Sequence, residues 1–409
     1  MIRVLHVVEN FNGQAVESWL SRLAVSGGFD SEKFQFGFFL IGIGQGRQAG
    51  VVLEKGCKVH LGNAGGASIP EMAKALRGLA RKGTYDIVHI HQDVLGGVFA
   101  LALAGTGVKI VTHAHNCWQR LPVGGRLKER LLTSIARQLT LSLSQAIVGA
   151  STQALLKMTG KNRRNNRIDR VIYCSAKCQG DVFNGDDRAR IAAELRKQYA
   201  LPLSAKVLLF LGRLDEYKNP IFALDVLIKM VESGNKDACL MIAGVGGLDQ
   251  QLREVATKHG IEDRMRIVGW IDDPTRLLLA SDLLLMPSQE WYGEGLGLAA
   301  VEAQGCGVPV LCSLSIPEDA AIIPALFKRI TLRAGASHWA KEATVLLDNG
   351  QREMACSRKI LEQSAFTDAA SYASLAGLYF SIAAEQPSAE RIRPCGRPLP
   401  VQSTIGKEN

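Results

Sequence analysis

Two glutamates, Glu294 and Glu302, stand eight positions apart in the segment EGLGLAAVEAQGCGVPVLC. Gly295 and Gly297 follow the first, small and apolar residues lead to the second, and the turn GCGVP opens into the apolar run VPVLC. The pattern predicts loop, helix, turn and strand. At about 3.6 residues per turn, positions eight apart return to nearly the same helical face. One carboxylate is expected at the helix mouth and the other deeper along that face. Glycines let a ligand approach the backbone, and the unpaired N–H groups of a helix mouth suit an anion. The chemistry implied is recognition of a ligand carrying both hydroxyls and phosphates. Glu302 lies among Leu298, Ala299, Ala300, Val301 and Ala303. An acid in such surroundings requires a partner, and two ribose hydroxyls would serve.

Two cations fit the same ligand. Arg213 and Lys218 follow the apolar run VLLFLG in GRLDEYKNP, just before a helix opening at Pro220. A guanidinium fork and a mobile ammonium at a helix mouth form a diphosphate clamp. The same residues also fit a solvated basic loop. Histidines recur in two pairs, His89 with His91 and His113 with His115, each at the end of an apolar run. His115 is read as a ligand contact at the cleft edge, and His89 and His113 as structural. A four-histidine metal cluster is the competing reading of these pairs.

The elements that must position these groups alternate along the chain. Strands are expected at 4–8, 34–40, 87–90, 109–112 and 146–149, with a further one near 170–173. Helices are expected at 15–24, 69–82, 95–104, 125–141 and 152–158. The pattern restarts with strands at 207–211, 238–243, 265–268, 283–286 and 308–312. Helices at 220–233, 248–259, 274–280 and 296–304 separate these strands. Near-continuous apolar strands separated by helices indicate parallel sheets covered on both faces. The fold class is therefore α/β. In such sheets ligands bind beyond the strands' C-terminal ends, so the loops after strands carry the site.

Size and composition agree. A chain of 409 residues exceeds a comfortable single core. Residues 1–190 are read as the first domain and 191–365 as the second. A C-terminal helix over 366–384 is expected to return to the first domain. Residues 385–409, with four prolines, are expected to form a disordered tail. A formal net charge of +9 favours an anionic partner. With 6% aromatic residues and no basic stripe interleaved with them, nucleic acid is not expected. Nine cysteines occur without a CxxC pair, which argues against a zinc site. The odd count and the early polar residues of MIRVLHVVENF point to a reducing compartment, the cytoplasm. The uncharged run 94–108 falls short of a membrane span. The segment GGRLKERLLTSIARQLTLSLS is basic and amphipathic. It fits an anionic membrane surface and an ordinary solvated helix equally.

Together these motifs resemble the retaining glycosyltransferases of family 4, over residues 2 to about 380. Their E-x7-E element is matched by Glu294 and Glu302. Their G-R-L-x-x-x-K-N element is matched by Gly212, Arg213, Leu214, Lys218 and Asn219. The most specific stretch is SDLLLMPSQEWYGEGLGLAAVEAQGCGVPVLCS. LHVVENFNGQAVESWL and YDIVHIHQDVLGG are similar to the family's N-terminal pattern, with Gly13-Gln14 where Gly-Gly is usual. One departure is Ser175-Ala176-Lys177, which stands where the family often has Gly-Ile-Asp.

The resemblance implies a GT-B fold, two Rossmann-like domains with a cleft between them. It is closest to enzymes that build capsular or extracellular polysaccharides. It assigns Arg213 and Lys218 to the donor diphosphate, Glu302 to the ribose and Glu294 to the donor sugar. Backbone N–H groups of Gly295, Leu296 and Gly297 are expected at sugar or phosphate, Gly13 and Gln14 under the diphosphate, and His115 near the reacting centre. Trp291 and Tyr292 either shape the sugar pocket or pack the loop. The expected partners are a nucleotide-sugar donor, most plausibly UDP-linked, and a lipid-linked or oligosaccharide acceptor. No cofactor or metal is expected, because no DxD-like pair of acids occurs at a strand end. The competing functions are a nucleotide-sugar epimerase, a phosphorylase or other GT-B enzyme, and a non-catalytic binding protein that kept the fold.

Overall fold

The computed structural model describes residues 1–12, 15–25, 32–117, 126–160, 168–177, 185–349 and 354–384. Its first sheet holds β1 (Ile2–Val8), β2 (Phe34–Leu40), β3 (Lys58–Leu61), β4 (Ile87–Ile90), β5 (Lys109–Ala114), β6 (Ala146–Gly149) and β7 (Ile168–Val171). They run in the order β3-β2-β1-β4-β5-β6-β7, with all neighbours parallel. The second sheet holds β8 (Lys206–Leu211), β9 (Ala238–Ala243), β10 (Met265–Gly269), β11 (Leu283–Met286), β12 (Val310–Cys312) and β13 (Phe327–Arg329). Its order is β10-β9-β8-β11-β12-β13, again parallel throughout. In each sheet the order reverses beside the first strand, between β1 and β4 and between β8 and β11. That reversal opens a crevice at the strand ends.

The apolar runs become central strands because helices cover both their faces. Every residue of β4, β9 and β11 is buried. Leu208, Phe210, Leu240 and Ile242 face one layer of helices, while Val207, Leu209, Cys239 and Met241 face the other. Two strands escape the sequence reading. KVHL (β3) is an edge strand with exposed ends, and FKR (β13) has three half-buried residues. Edge strands carry charge to discourage further pairing, and that charge erases the apolar signal.

Two helices define how the units connect. Gly185–Gln198 packs on the second sheet's core through Ile191 and Leu195. Arg196 pairs with Asp282 at 3.0 Å, and Arg188 donates to the carbonyls of Leu279 and Ser281. The boundary expected between residues 190 and 191 therefore falls inside a helix that belongs to the second unit. The helix Asp368–Ala384 lies on the first sheet, burying Leu375, Leu378, Tyr379 and Ile382 among Val4, Trp19 and Phe34. Trp19 Nε1 donates to Ser371 Oγ at 2.8 Å. The expected tail, 385–409, lies outside the described residues.

Candidate active site

The loop after β8 is organised by Asp215. Its carboxylate accepts from Arg213 Nε at 2.7 Å and from the Lys218 N–H at 3.0 Å. Asn219, in left-handed backbone at φ 58°, donates its N–H to the Asp215 carbonyl at 3.0 Å and its side-chain amide to Pro287 O at 3.2 Å. These bonds tie the β8 loop to the β11 loop and aim Lys218 across the switch point. Lys218 Nζ reaches Glu294 Oε1 at 2.6 Å, and Ser288 Oγ donates to the same oxygen at 2.6 Å. The Glu294 N–H is held by the carbonyl and the hydroxyl of Ser315, after β12, at 3.1 and 3.0 Å. Three adjacent strands thus fix one carboxylate.

Electrostatics follow from this geometry. Burial pushes the Glu294 pKa upward, but Lys218, Ser288 and Arg213 outweigh it and hold the carboxyl below its ordinary range. Burial depresses Arg213, yet Asp215 and Tyr292 leave it above its ordinary value. Glu294 is anionic beside Lys218, and Arg213 is paired with Asp215, so the two cations are balanced by two carboxylates and a phosphate would compete with these for their N–H donors.

Glu302 occupies a different corner. The helix is Leu298–Gly305, opened by Gly297 at φ 80°, a left-handed turn that favours glycine. Glu294 precedes this helix, so the pair does not share a helical face as the spacing predicts. Instead, Glu302 Oε1 accepts the N–H of Lys177 at 2.8 Å, from the last described segment of the first unit. Burial raises the Glu302 pKa, and the Lys177 N–H only partly offsets that. The structure brings Arg213, Lys218 and Glu294 together and sets Glu302 apart, beside Lys177.

The first unit closes on the Glu294 loop. A Cβ on Gly295 would lie 1.6 Å from the carbonyl oxygen of His115, so only glycine permits this approach. Cys117 N donates to Gly293 O at 3.2 Å, and Cys117 Sγ to Glu294 O at 3.0 Å. The turn after β5 is itself held by Asp93, which accepts the N–H of His115 at 2.7 Å and of Asn116 at 3.1 Å. Burial holds the His115 imidazole neutral, with its pKa down to about 3. Its Nε2 lies 2.8 Å from His91 Nδ1. Gly13 and Gln14 lie outside the described residues. Trp291 is 52% exposed and Tyr292 half-buried against Tyr217, with ring centroids 4.6 Å apart.

Sequence reasoning missed Asp215, Ser288, Ser315 and Asp93. Only Asp215 left a signal, as an acid between two cations in GRLDEYK. The others act through contacts between distant segments. Lys177 was read only as a departure from a pattern, yet its backbone reaches Glu302.

A family model described as glycosyl transferases group 1 matches residues 192–360. One described as glycosyltransferase family 4 matches residues 42–192. The protein named glycosyltransferase EpsF from Bacillus subtilis (strain 168) is 26% identical over 343 residues, covering 83% of this chain and 86% of its own. A D-inositol 3-phosphate glycosyltransferase from Mycobacteroides abscessus is 30% identical over 244 residues, 56% of this chain and 51% of that one. Among solved structures, Anabaena Alr3699/HepE in complex with UDP-glucose superposes with a TM-score of 0.72 at 16% identity, covering 93% of this chain and 100% of the other. Two Rossmann-like sheets meeting at their strand ends define a glycosyltransferase of the GT-B type. The chain carries a glycosyltransferase family 4 domain followed by a glycosyl transferases group 1 domain, in succession from residue 42 to residue 360.

Proposed function

We propose that the protein transfers a sugar from a UDP-sugar to a lipid-linked or oligosaccharide acceptor in polysaccharide biosynthesis, with retention at the anomeric carbon. The observation that carries this reading is the placement of Arg213 and Lys218 around Glu294 at the switch point of the second sheet. Phosphate oxygens arriving there would meet two cations and a helix mouth. In the transition state these cations stabilise the charge growing on the leaving diphosphate, and they take the role a divalent ion would otherwise fill. Glu294 orients the donor sugar, Glu302 holds ribose hydroxyls, and the neutral His115 hydrogen-bonds sugar or acceptor. The backbone N–H groups of Gly295, Leu296 and Gly297 complete the donor cradle, with Gly13 and Gln14 below it. Retention follows if the leaving phosphate assists attack on its own face, with no covalent enzyme nucleophile. Closure of the two domains over the donor limits its hydrolysis.

The solved relative crystallised with UDP-glucose supports the donor class, and the relative named glycosyltransferase EpsF supports sugar transfer as the reaction. The acceptor side is read from the helix Arg126–Leu143. Leu127, Leu131 and Ile135 are exposed along one stripe, beside exposed Lys128 and Arg130. Apolar residues framed by cations suit peripheral contact with an anionic membrane, at its cytoplasmic face. No described helix is long and apolar enough to cross a membrane.

The test is incubation with a panel of UDP-sugars and saccharide or polyprenyl acceptors, with anomeric configuration of donor and product read by NMR. A new glycoside with the donor's configuration is expected. Inverted product, or donor epimerised without transfer, would overturn the reading.

A further inference from the structure

Five imidazoles fill the switch point of the first sheet. His6 of β1 is the register partner of His89 of β4, and His91, His113 and His115 continue from β4 and β5. His6, His89, His91 and His113 are buried. Neighbouring rings stack: the centroids of His89 and His91 are 4.1 Å apart, and those of His113 and His115 are 3.9 Å apart. A parallel-sheet interior needs none of this polarity. Apolar residues would fill the same space without buried nitrogens that require partners.

The bonds within the cluster do not satisfy it. His6 Nδ1 lies 3.0 Å from His91 Nε2, and His91 Nδ1 lies 2.8 Å from His115 Nε2. His89 Nδ1 lies 2.7 Å from the Tyr379 hydroxyl on the last helix. His6 Nε2 and His89 Nε2 are buried without a hydrogen-bond partner. One ring nitrogen from each of His6, His89 and His91 falls within 4.8 Å of the other two. A neutral imidazole offers a lone pair to a metal.

The geometry points to a binding site for one borderline divalent cation, of the zinc or cobalt class, held by His6, His89 and His91. Imidazole nitrogen suits such ions, at about 2.0–2.1 Å. Two nitrogens bound tetrahedrally at that length stand about 3.3 Å apart, so the present 3.0 Å between His6 and His91 needs only a small opening. The outer contacts match those of ligating histidines, whose second nitrogen is normally fixed by a hydrogen bond. Tyr379 fixes His89, and His115 fixes His91. His91, His113 and His115 form an overlapping triple. His113 Nδ1 and Nε2 are orphaned as well. The inner triple is favoured because Tyr379 and His115 fix two of its rings from outside, and because it leaves His115 out of the ligand set. The ion would lock the last helix to the first sheet and hold His115 through His91. It would not touch the diphosphate, and its presence does not depend on the transferase reading.

The test uses the full chain, refolded with Zn²⁺ or Co²⁺ and freed of loose metal by gel filtration. About one ion per chain is expected by elemental analysis, with visible d–d bands for Co²⁺. X-ray absorption at the metal edge of the unsubstituted protein should report three imidazole ligands, a readout that does not depend on any variant folding. His89→Phe should lose the ion, while His60→Ala, outside the cluster, should keep it. Folded unsubstituted protein that retains less than a tenth of an equivalent would overturn the proposal. So would an unchanged Co²⁺ spectrum in folded His89→Phe.

Discussion

The main-chain N–H of Lys177 donates to Oε1 of Glu302 at 2.8 Å, joining the end of the first domain to the helix of the second. A carboxylate carries about four lone-pair sites, so Oε2 remains for ribose hydroxyls while Oε1 reports domain position. The group proposed to bind the donor ribose is thus also in contact with the first domain. Glu302→Gln keeps an oxygen for Lys177 but loses the charge. Hydrogen bonds to charged groups are worth about 1.5–3 kcal/mol, so kcat/KM for the donor should fall roughly ten- to a hundredfold. Steady-state kinetics across donor concentrations check this; an unchanged value would remove Glu302 from the site.

Lys218→Met strands Glu294 with Ser288 and Arg213 as its remaining polar support. In the native protein the Glu294 pKa is held low, so its contribution to stability is full above the unfolded value and lost as pH falls through the folded value. Without Lys218, burial dominates and the pKa rises. The variant should then lose stability at neutral pH relative to the parent and recover part of the gap in acid. Melting temperatures from pH 4 to 8 measure the crossing. Activity should fall at least a hundredfold, and Glu294→Gln added to Lys218→Met should restore stability without activity.

Glu17, on the first helix, is buried, and burial lifts its pKa to about 7 despite a hydrogen bond from the Glu9 N–H. A folded pKa above the unfolded 4.5 means the native state holds the extra proton between those values. Stability should therefore fall as pH rises from about 4.5 to 7, by about 3 kcal/mol in order of magnitude. Glu17→Gln should flatten this slope. Denaturant unfolding at a series of pH values decides it, and a parent slope equal to that of the variant would refute it.

Asp319 Oδ1 gathers the N–H of Thr152 at 2.9 Å, the Thr152 hydroxyl at 2.8 Å and the Tyr173 hydroxyl at 2.8 Å, all across the domain junction. The Thr152 contacts are exposed, so water competes and the latch is worth about 1 kcal/mol. Asp319→Ala should enlarge the radius of gyration in small-angle scattering and weaken donor binding severalfold, with the melting temperature nearly unchanged. A radius equal to that of the parent would show that other contacts set closure.

UDP alone should raise the melting temperature of the parent, since a ligand selective for the folded state stabilises it by mass action. Arg213→Ala should abolish that rise. An equal rise in both proteins would place UDP elsewhere.

Much of this molecule is determined by its sequence. Buried parallel strands such as LLLM and ACLMIA carry unbroken apolar signals, and the cations of GRLDEYKNP stand in one loop, so both are legible without coordinates. Tertiary structure decided what depends on long-range contact. Edge strands β3 and β13 carry polar residues because they are edges, and no local pattern marks them. The spacing of Glu294 and Glu302 reads as one helical face, but Gly297 starts the helix after Glu294, and the two acids take different partners. The partners of the two acids lie 76 residues away at Lys218 and 125 away at Lys177. The histidines lie 85 residues apart at His6 and His91 and meet only where β1 and β4 pair at the sheet's reversal. Periodicity records which face of an element is buried; which buried faces meet is set by packing of the whole chain.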